Sequence, residues 1–246
     1  MKTSENPAQP PRICGILIPA YNAPRHLPEL LNRIAALQQA ERGWRFSVLI
    51  VDDGSRPPLG EFETGGLEIR LLRHPQNRGK GAALRSGFQR FLEQEEVAAV
   101  ISLDADLQHP PEYISEFLRA FERGEGDLII GFRRRDPKVM PRHRILSNSL
   151  TSRIISGMIG QKINDSQCGF RLYSRKVLET VAPRENRFHL ESEFVIRSAW
   201  QGCKIGGVAI PTIYNGAPSA IRHIPDTLNF IALVFKLSLE RIKGHV

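Results

Sequence analysis

Short apolar runs alternate with stretches of helical period along the first half of this 246-residue chain. "ICGILIPA" (13–20) is apolar enough to be a strand buried on both faces, and Leu27, Leu30, Leu31, Ile34 and Leu37 then recur at helix spacing after Pro24. "FSVLIVDD" (46–53) and "LEIRLL" (67–72) predict two further strands, with a helix opening near Gly79. "VAAVISLD" (97–104) predicts a fourth, followed by a helix that Pro110 and Pro111 can start, and "DLIIGF" (127–132) a fifth. This βαβ rhythm predicts an α/β fold in a single domain, a mostly parallel sheet flanked by helices.

Beyond residue 132 the pattern changes. "RRRDPKVMPRHR" (133–144) is a basic, Pro-broken loop, and Ile145, Leu146, Leu150, Ile154, Ile155 and Met158 predict a helix after it. "NDSQCGFRLYS" leads to a helical "LESEFVIRSAWQG" and a strand, "KIGGVAIP". The final "DTLNFIALVFKLSLERIKGHV" predicts a helix with a broad apolar side and cations at its end. No internal repeat or low-complexity tract interrupts the chain.

In a parallel sheet ligands sit beyond the carboxyl ends of the strands, and three strands end suggestively, in "PAYN", "VDDGS" and "DADLQ". If the segment stays extended, Asp104 and Asp106 point the same way, and two like charges so close call for a cation. Hard oxygen ligands suit Mg2+ or Mn2+, and Gln108 offers a neutral oxygen to the same ion. Either aspartate alone reads equally as a turn or a helix cap. Asp53 in "VDDGS" can accept hydrogen bonds from a base or ribose, although "DDGS" alone is an ordinary turn.

"NRGKGAALRSGF" (77–88) places Lys80 at a helix start that favours phosphate, against a solvated lysine as the plain alternative. It lacks the P-loop spacing, and no GxGxxG follows the first strand, which disfavours a dinucleotide dehydrogenase. Arg133, nearest its strand end, is the best diphosphate ligand in the basic loop, whose clusters can also face anionic lipid. Asp165, Glu191 and Glu193 remain as acids that either act as a general base or cap helices and cover surface. His109 and His143 lack metal-ligand spacing and read as ordinary polar residues.

A net charge of +8 points to phosphate-bearing partners, whether nucleotides, nucleic acid or an anionic membrane. A nucleic-acid binder is disfavoured because the few Tyr and Trp are scattered. Cys14, Cys168 and Cys203 show no zinc spacing and read as free thiols of a reducing compartment. The opening "MKTSENPAQPPR" has no signal-peptide core, and no window reaches the ~18 apolar residues of a membrane span.

Taken in order, "IPAYN", "VDDGS", "NRGKGAALRSGF", "DADLQHPPE" and "DSQCGFRLYSRKVLE" resemble the family 2 glycosyltransferases of GT-A fold, most closely the polyprenyl-phosphate (dolichyl-phosphate) mannose and glucose synthase group. The resemblance covers residues 13–215, with 13–132 as a nucleotide-sugar half and 133–215 as an acceptor half. Residues 1–12 are then a disordered tail and 216–246 an apolar or amphipathic segment. It implies metal-dependent transfer, with inversion, from a UDP- or GDP-sugar. Pro19, Ala20, Tyr21, Val51 and Asp53 match the base and ribose pocket, with Lys80 beside it. Asp104, Ala105 and Asp106 match the DxD motif, Gln108 a third metal ligand and Arg133 a diphosphate contact, while Arg171 and Arg222 fall on the acceptor side.

Two departures stand out. Ala23 replaces a Glu after "PAYN", and Tyr214 and Ala220 stand where the synthases carry phosphate-holding Arg and Lys. The acceptor therefore stays open between a polyprenyl phosphate, already anionic, and a hydroxyl of a glycan or small molecule, which needs a base among Asp165, Glu191 and Glu193. A non-catalytic nucleotide-sugar or lipid-binding module is a further alternative, opposed by the intact DxD. The expected setting is cytoplasmic, peripheral at the inner face of the membrane, with a homodimer also compatible with the apolar helices.

Overall fold

The computed structural model describes residues 11–23, 25–60, 62, 66–134, 140–186, 189–213 and 223–243. The predicted strands fall where the apolar runs are: β1 (Arg12–Ala20), β2 (Trp44–Asp52), β3 (Glu68–Arg73), β4 (Val97–Ser102), β5 (Leu128–Arg133) and β7 (Ile205–Ile210). The described residues also form β6 (Arg171–Ser174) and seven α-helices: α1 (Leu27–Ala40), α2 (Lys80–Leu92), α3 (Ile114–Glu122), α4 (Arg142–Ile159), α5 (Arg175–Thr180), α6 (His189–Trp200) and α7 (His223–Ile242). β1 begins at Arg12, one residue inside the expected tail, and α7 lies in the expected C-terminal segment.

The seven strands form one sheet in the order β3-β2-β1-β4-β6-β5-β7. β1 pairs in parallel with β2 on one side and β4 on the other, and β2 with β3, so the winding direction reverses between β1 and β4. In a doubly wound sheet that reversal opens a crevice at the carboxyl ends of the two strands. β6 runs antiparallel to both β4 and β5, and β7 closes the far edge parallel to β5. The antiparallel insertion is absent from the sequence-based expectation.

Apolar side chains from both faces fill the core. Ile16, Leu17 and Ile18 of β1 are fully buried, as are Leu27, Leu30, Leu31 and Ile34 of α1, the residues that carried its helical period. α2 approaches β1 closely because residue 87 is glycine; a Cβ there would stand 2.2 Å from Leu17. This approach seats α2 against β1, with β2 and β4 also beneath it. All three cysteines are buried and unpaired. Among the described residues no helix is long and apolar enough to cross a membrane.

Candidate functional site

The crevice is built from the ends of β1, β2 and β4. At the end of β1, Pro19 and Ala20 are largely covered and Tyr21 is 51% exposed. Asn22, at φ 49°, is pinned there: its amide donates to Ser55 Oγ at 2.9 Å and its side chain accepts from the Arg56 amide at 2.9 Å. The Asp53 amide donates to the Ala20 carbonyl at 2.8 Å, which joins the two strand ends, and Val51 is buried behind them.

Asp53 is 2% exposed, and its carboxylate accepts from the backbone of Arg78 at 3.0 Å and Gly79 at 2.7 Å, with His74 Nδ1 at 2.7 Å. His74 Nε2 lies 2.9 Å from Ser86 Oγ. The start of α2, expected to attract phosphate, is thus already capped by an internal anion. Asp52, fully buried, accepts from the amides of Ser55 at 2.8 Å and Leu59 at 3.2 Å.

β4 ends two residues sooner than expected, so Asp104 lies in irregular backbone past the strand and Asp106 in the turn that follows. Asp106 Oδ1 accepts from the Gln108 amide at 3.0 Å, and Leu107 adopts φ 61°. The extended-strand argument for their common direction therefore does not apply, yet the charges still act on each other: burial and the neighbouring Asp104 raise the Asp106 pKa. Asp104 goes the other way. Burial alone would raise it, but Lys80, His109 and Arg133 hold it at about 2. Ala105, between them, is buried.

Lys80, the first residue of α2, reaches Asp104 Oδ1 at 2.7 Å and Glu191 Oε1, from the first turn of α6, at 3.2 Å. Glu191 is 5% exposed, and this oxygen has no aligned hydrogen-bond donor among the described residues. The Lys80 ammonium thus stands between the carboxylates of Asp104 and Glu191. Among the described residues no three His, Cys, Asp or Glu side chains gather as a complete metal cluster. The oxygens of Asp104, Asp106 and Gln108 still suit a hard divalent ion that draws the rest of its shell from substrate and water.

Arg133 forks onto Asp165, with Nε 2.7 Å from Oδ2 and Nη2 3.1 Å from Oδ1. Asp165, a candidate base, is thereby held as an ion-pair partner. Glu193 lies away from the crevice: its carboxylate accepts from the amides of Arg184 and Glu185, both at 2.8 Å, and from Arg197 at 2.7 Å. Arg171, placed on the acceptor side by resemblance, is 0% exposed. Its guanidinium donates to the carbonyls of Cys168, Glu191 and Ser166 at 2.6–2.7 Å, stapling the segment before β6 to α6. Arg222, Tyr214, Ala220 and part of the basic 133–144 loop lie outside the described residues.

His109, read from sequence as an ordinary polar residue, belongs to the site. Its Nδ1 accepts from the Asp104 amide at 3.2 Å, so the proton sits on Nε2, 3.8 Å from Cys168 Sγ. Burial pushes its pKa down to about 4, against the pull of Asp104, which keeps the ring neutral and fixes the backbone of the carboxylate turn. The signal in the sequence is a His five residues after Asp104, followed by two prolines.

Residues 15–182 match the model of the family described as glycosyl transferase family 2. A UDP-N-acetylglucosamine–dolichyl-phosphate N-acetylglucosaminyltransferase of Methanococcus voltae is 28% identical over 225 residues, covering 83% of this chain and 87% of the relative. An undecaprenyl-phosphate 4-deoxy-4-formamido-L-arabinose transferase of Pseudomonas syringae is 32% identical over 70% of this chain, which spans about half of that relative's length. In structure, glucosyl-3-phosphoglycerate synthase of Mycobacterium tuberculosis, solved with Mn2+, UDP-glucose and phosphoglyceric acid, superposes with a TM-score of 0.65 at 18% identity over 94% of this chain and 79% of that one. That likeness establishes the fold.

Proposed function

The chain belongs to glycosyl transferase family 2, and from that premise we propose that it moves a sugar from a nucleotide-diphosphate donor to a polyprenyl phosphate. A divalent ion held by Asp104 and Asp106, with Gln108, takes part. One observation carries the reading: Asp104 and Asp106 stand two residues apart at the switch point between β1 and β4 and act on each other as like charges, an arrangement that a single Mg2+ or Mn2+ relieves. When bound, such an ion neutralises the charge that gathers on a departing nucleoside diphosphate.

The remaining parts of the reading follow from position. Tyr21 offers a half-exposed ring just past the end of β1, which suits stacking on a nucleobase. Asp53 orders this pocket through the start of α2. Arg133, close enough to lower the Asp104 pKa, supplies a cation for the diphosphate. The acceptor oxygen attacks the anomeric carbon as the bond to the diphosphate breaks on the opposite face, so the leaving group takes the electron pair and the configuration inverts.

Two relatives carry undecaprenyl phosphate and dolichyl phosphate in their names, which supports a lipid phosphate acceptor. The ion pairs of Asp165 with Arg133 and of Glu193 with Arg197 agree, because an anionic phosphate needs no base. α4 exposes Leu146 and Leu150, and α7 exposes Ile231, Phe235 and Ile242; α4 contains no acidic residue, and the one acid of α7 beyond Phe230, Glu240, is paired with Arg197. Apolar and cationic helix faces of this kind suit peripheral contact with an anionic membrane. A second reading, transfer to a hydroxyl, is favoured by Glu191, whose oxygen without an aligned donor faces the crevice.

The test begins with thermal stability in UDP and GDP, each with and without Mn2+, where a ligand at about 100 times its Kd adds ~2.7 kcal/mol. One nucleotide should stabilise the protein only with metal, and Asp104→Ala should remove that effect. A labelled donor offered to polyprenyl phosphate beside free sugars then separates the acceptors. Nucleotide binding indifferent to both metal and Asp104→Ala would sink the reading.

A further inference from the structure

The Lys80 ammonium sits in a recess that exists because residue 169 is glycine. A Cβ there would stand 2.6 Å from Lys80 Nζ, 3.0 Å from Asp104 Oδ2 and 3.1 Å from Glu191 Oε1. The start of α2, the turn after β4, the segment before β6 and the first turn of α6 therefore converge on a single positive charge. That charge lies 2.7 Å from Asp104 Oδ1, an oxygen of the proposed metal site. Burial works against the charge on Lys80, and the two carboxylates outweigh it.

We infer that Lys80 is a resident cation that competes with the divalent ion for Asp104 and so makes metal binding depend on the nucleotide. The inference rests on the metal reading of Asp104 and Asp106. An ion at metal–oxygen distance from Asp104 meets the ammonium within a few ångström, where two cations repel strongly in a half-buried crevice. The ammonium must then leave Asp104. Glu191 alone is a weaker partner, whereas an arriving diphosphate gives the displaced ammonium a new anion. The ion alone therefore binds weakly, the nucleotide alone meets the carboxylates of Asp104 and Glu191, and the two bind together with a positive coupling that is reciprocal.

The test is a Mn2+ titration of the full chain without nucleotide and with UDP or GDP, whichever stabilises the wild type, read by Mn2+ electron paramagnetic resonance and by thermal shift. Lys80→Met should tighten Mn2+ binding without nucleotide about tenfold or more, since it removes a unit positive charge beside the ion. The enhancement that nucleotide gives to Mn2+ affinity should shrink by a similar factor. Lys80→Arg, which keeps the charge, should keep the coupling. Gly169→Ala pushes the ammonium out of its recess and should act in the same direction as Lys80→Met, so it decides the matter if that variant does not fold. Unchanged or weaker nucleotide-free Mn2+ affinity in the variants, with metal-dependent nucleotide binding intact in the wild type, would overturn the inference alone. A wild type that binds neither Mn2+ nor nucleotide in a linked way overturns the metal reading with it.

Discussion

The ends of β2 and β4 look alike in sequence, each a strand running into a pair of aspartates, and the structure uses them in opposite ways. Asp52 and Asp53 are buried, and backbone amides from Ser55, Leu59, Arg78 and Gly79, together with His74, give each of their carboxylate oxygens at least one hydrogen bond. They hold two loops and the start of α2 in place. Asp104 keeps a side chain 31% exposed, and what compensates it is a lysine ammonium together with more distant cations. A carboxylate held at both oxygens by hydrogen bonds is architecture, while one balanced by a lysine side chain and partly open to solvent can meet a ligand.

The widest separation between the two pairs is expected from Asp106→Asn. Transfer should fall roughly a hundredfold to a thousandfold, the usual consequence of losing one group that stabilises developing charge. Stability in metal-free buffer should hold or rise, because burial and Asp104 already oppose ionisation of Asp106. A rate loss that merely tracks a fall in Tm would erase the distinction between the pairs. Asp53→Asn is the converse. An amide cannot accept from His74, Arg78 and Gly79 together, and the lost charge-assisted bonds should cost about 2–3 kcal/mol of stability. Denaturant unfolding checks this, and an unchanged midpoint would show that the start of α2 does not depend on its internal anion.

Much of this was legible in the chain. The strands with uninterrupted apolar runs, β1, β2, β4 and β5, declared themselves because a strand covered on both faces has few polar residues to confuse its reading. β6 did not: four residues, "RLYS", open on an arginine, and arginine ordinarily signals surface. Its burial is made possible by three carbonyls contributed by Ser166, Cys168 and Glu191, which no local pattern announces. The candidate bases failed to sort themselves for the same reason. Asp165 is neutralised by an arginine 32 residues earlier, and Glu193 by the 184–185 backbone and Arg197, whereas Glu191, two residues from Glu193 on the same helix, faces the crevice. Sequence supplies the inventory of charges; the crossing of β6 decides which of them meet.

The finest test of the contrast is the acid limb of stability. Burial alone would raise the Asp52 pKa, but hydrogen bonds from Ser55 and Leu59 and the nearby Arg73 outweigh it and hold the carboxyl below its ordinary 3.8. The folded state thus favours the ionised form, so the stability Asp52 adds is complete above the unfolded value and drains away as pH falls through the lower folded one. Asp52→Asn should therefore lower Tm at pH 7 by at least about 2–4 °C, the shift expected per kcal/mol in a chain of this size. The gap to wild type should narrow as the pH drops below 3.8. A gap that stayed constant down to about pH 2 would mean that shape, and not charge, fills the turn after β2, and the buried pair would then owe its place to geometry alone.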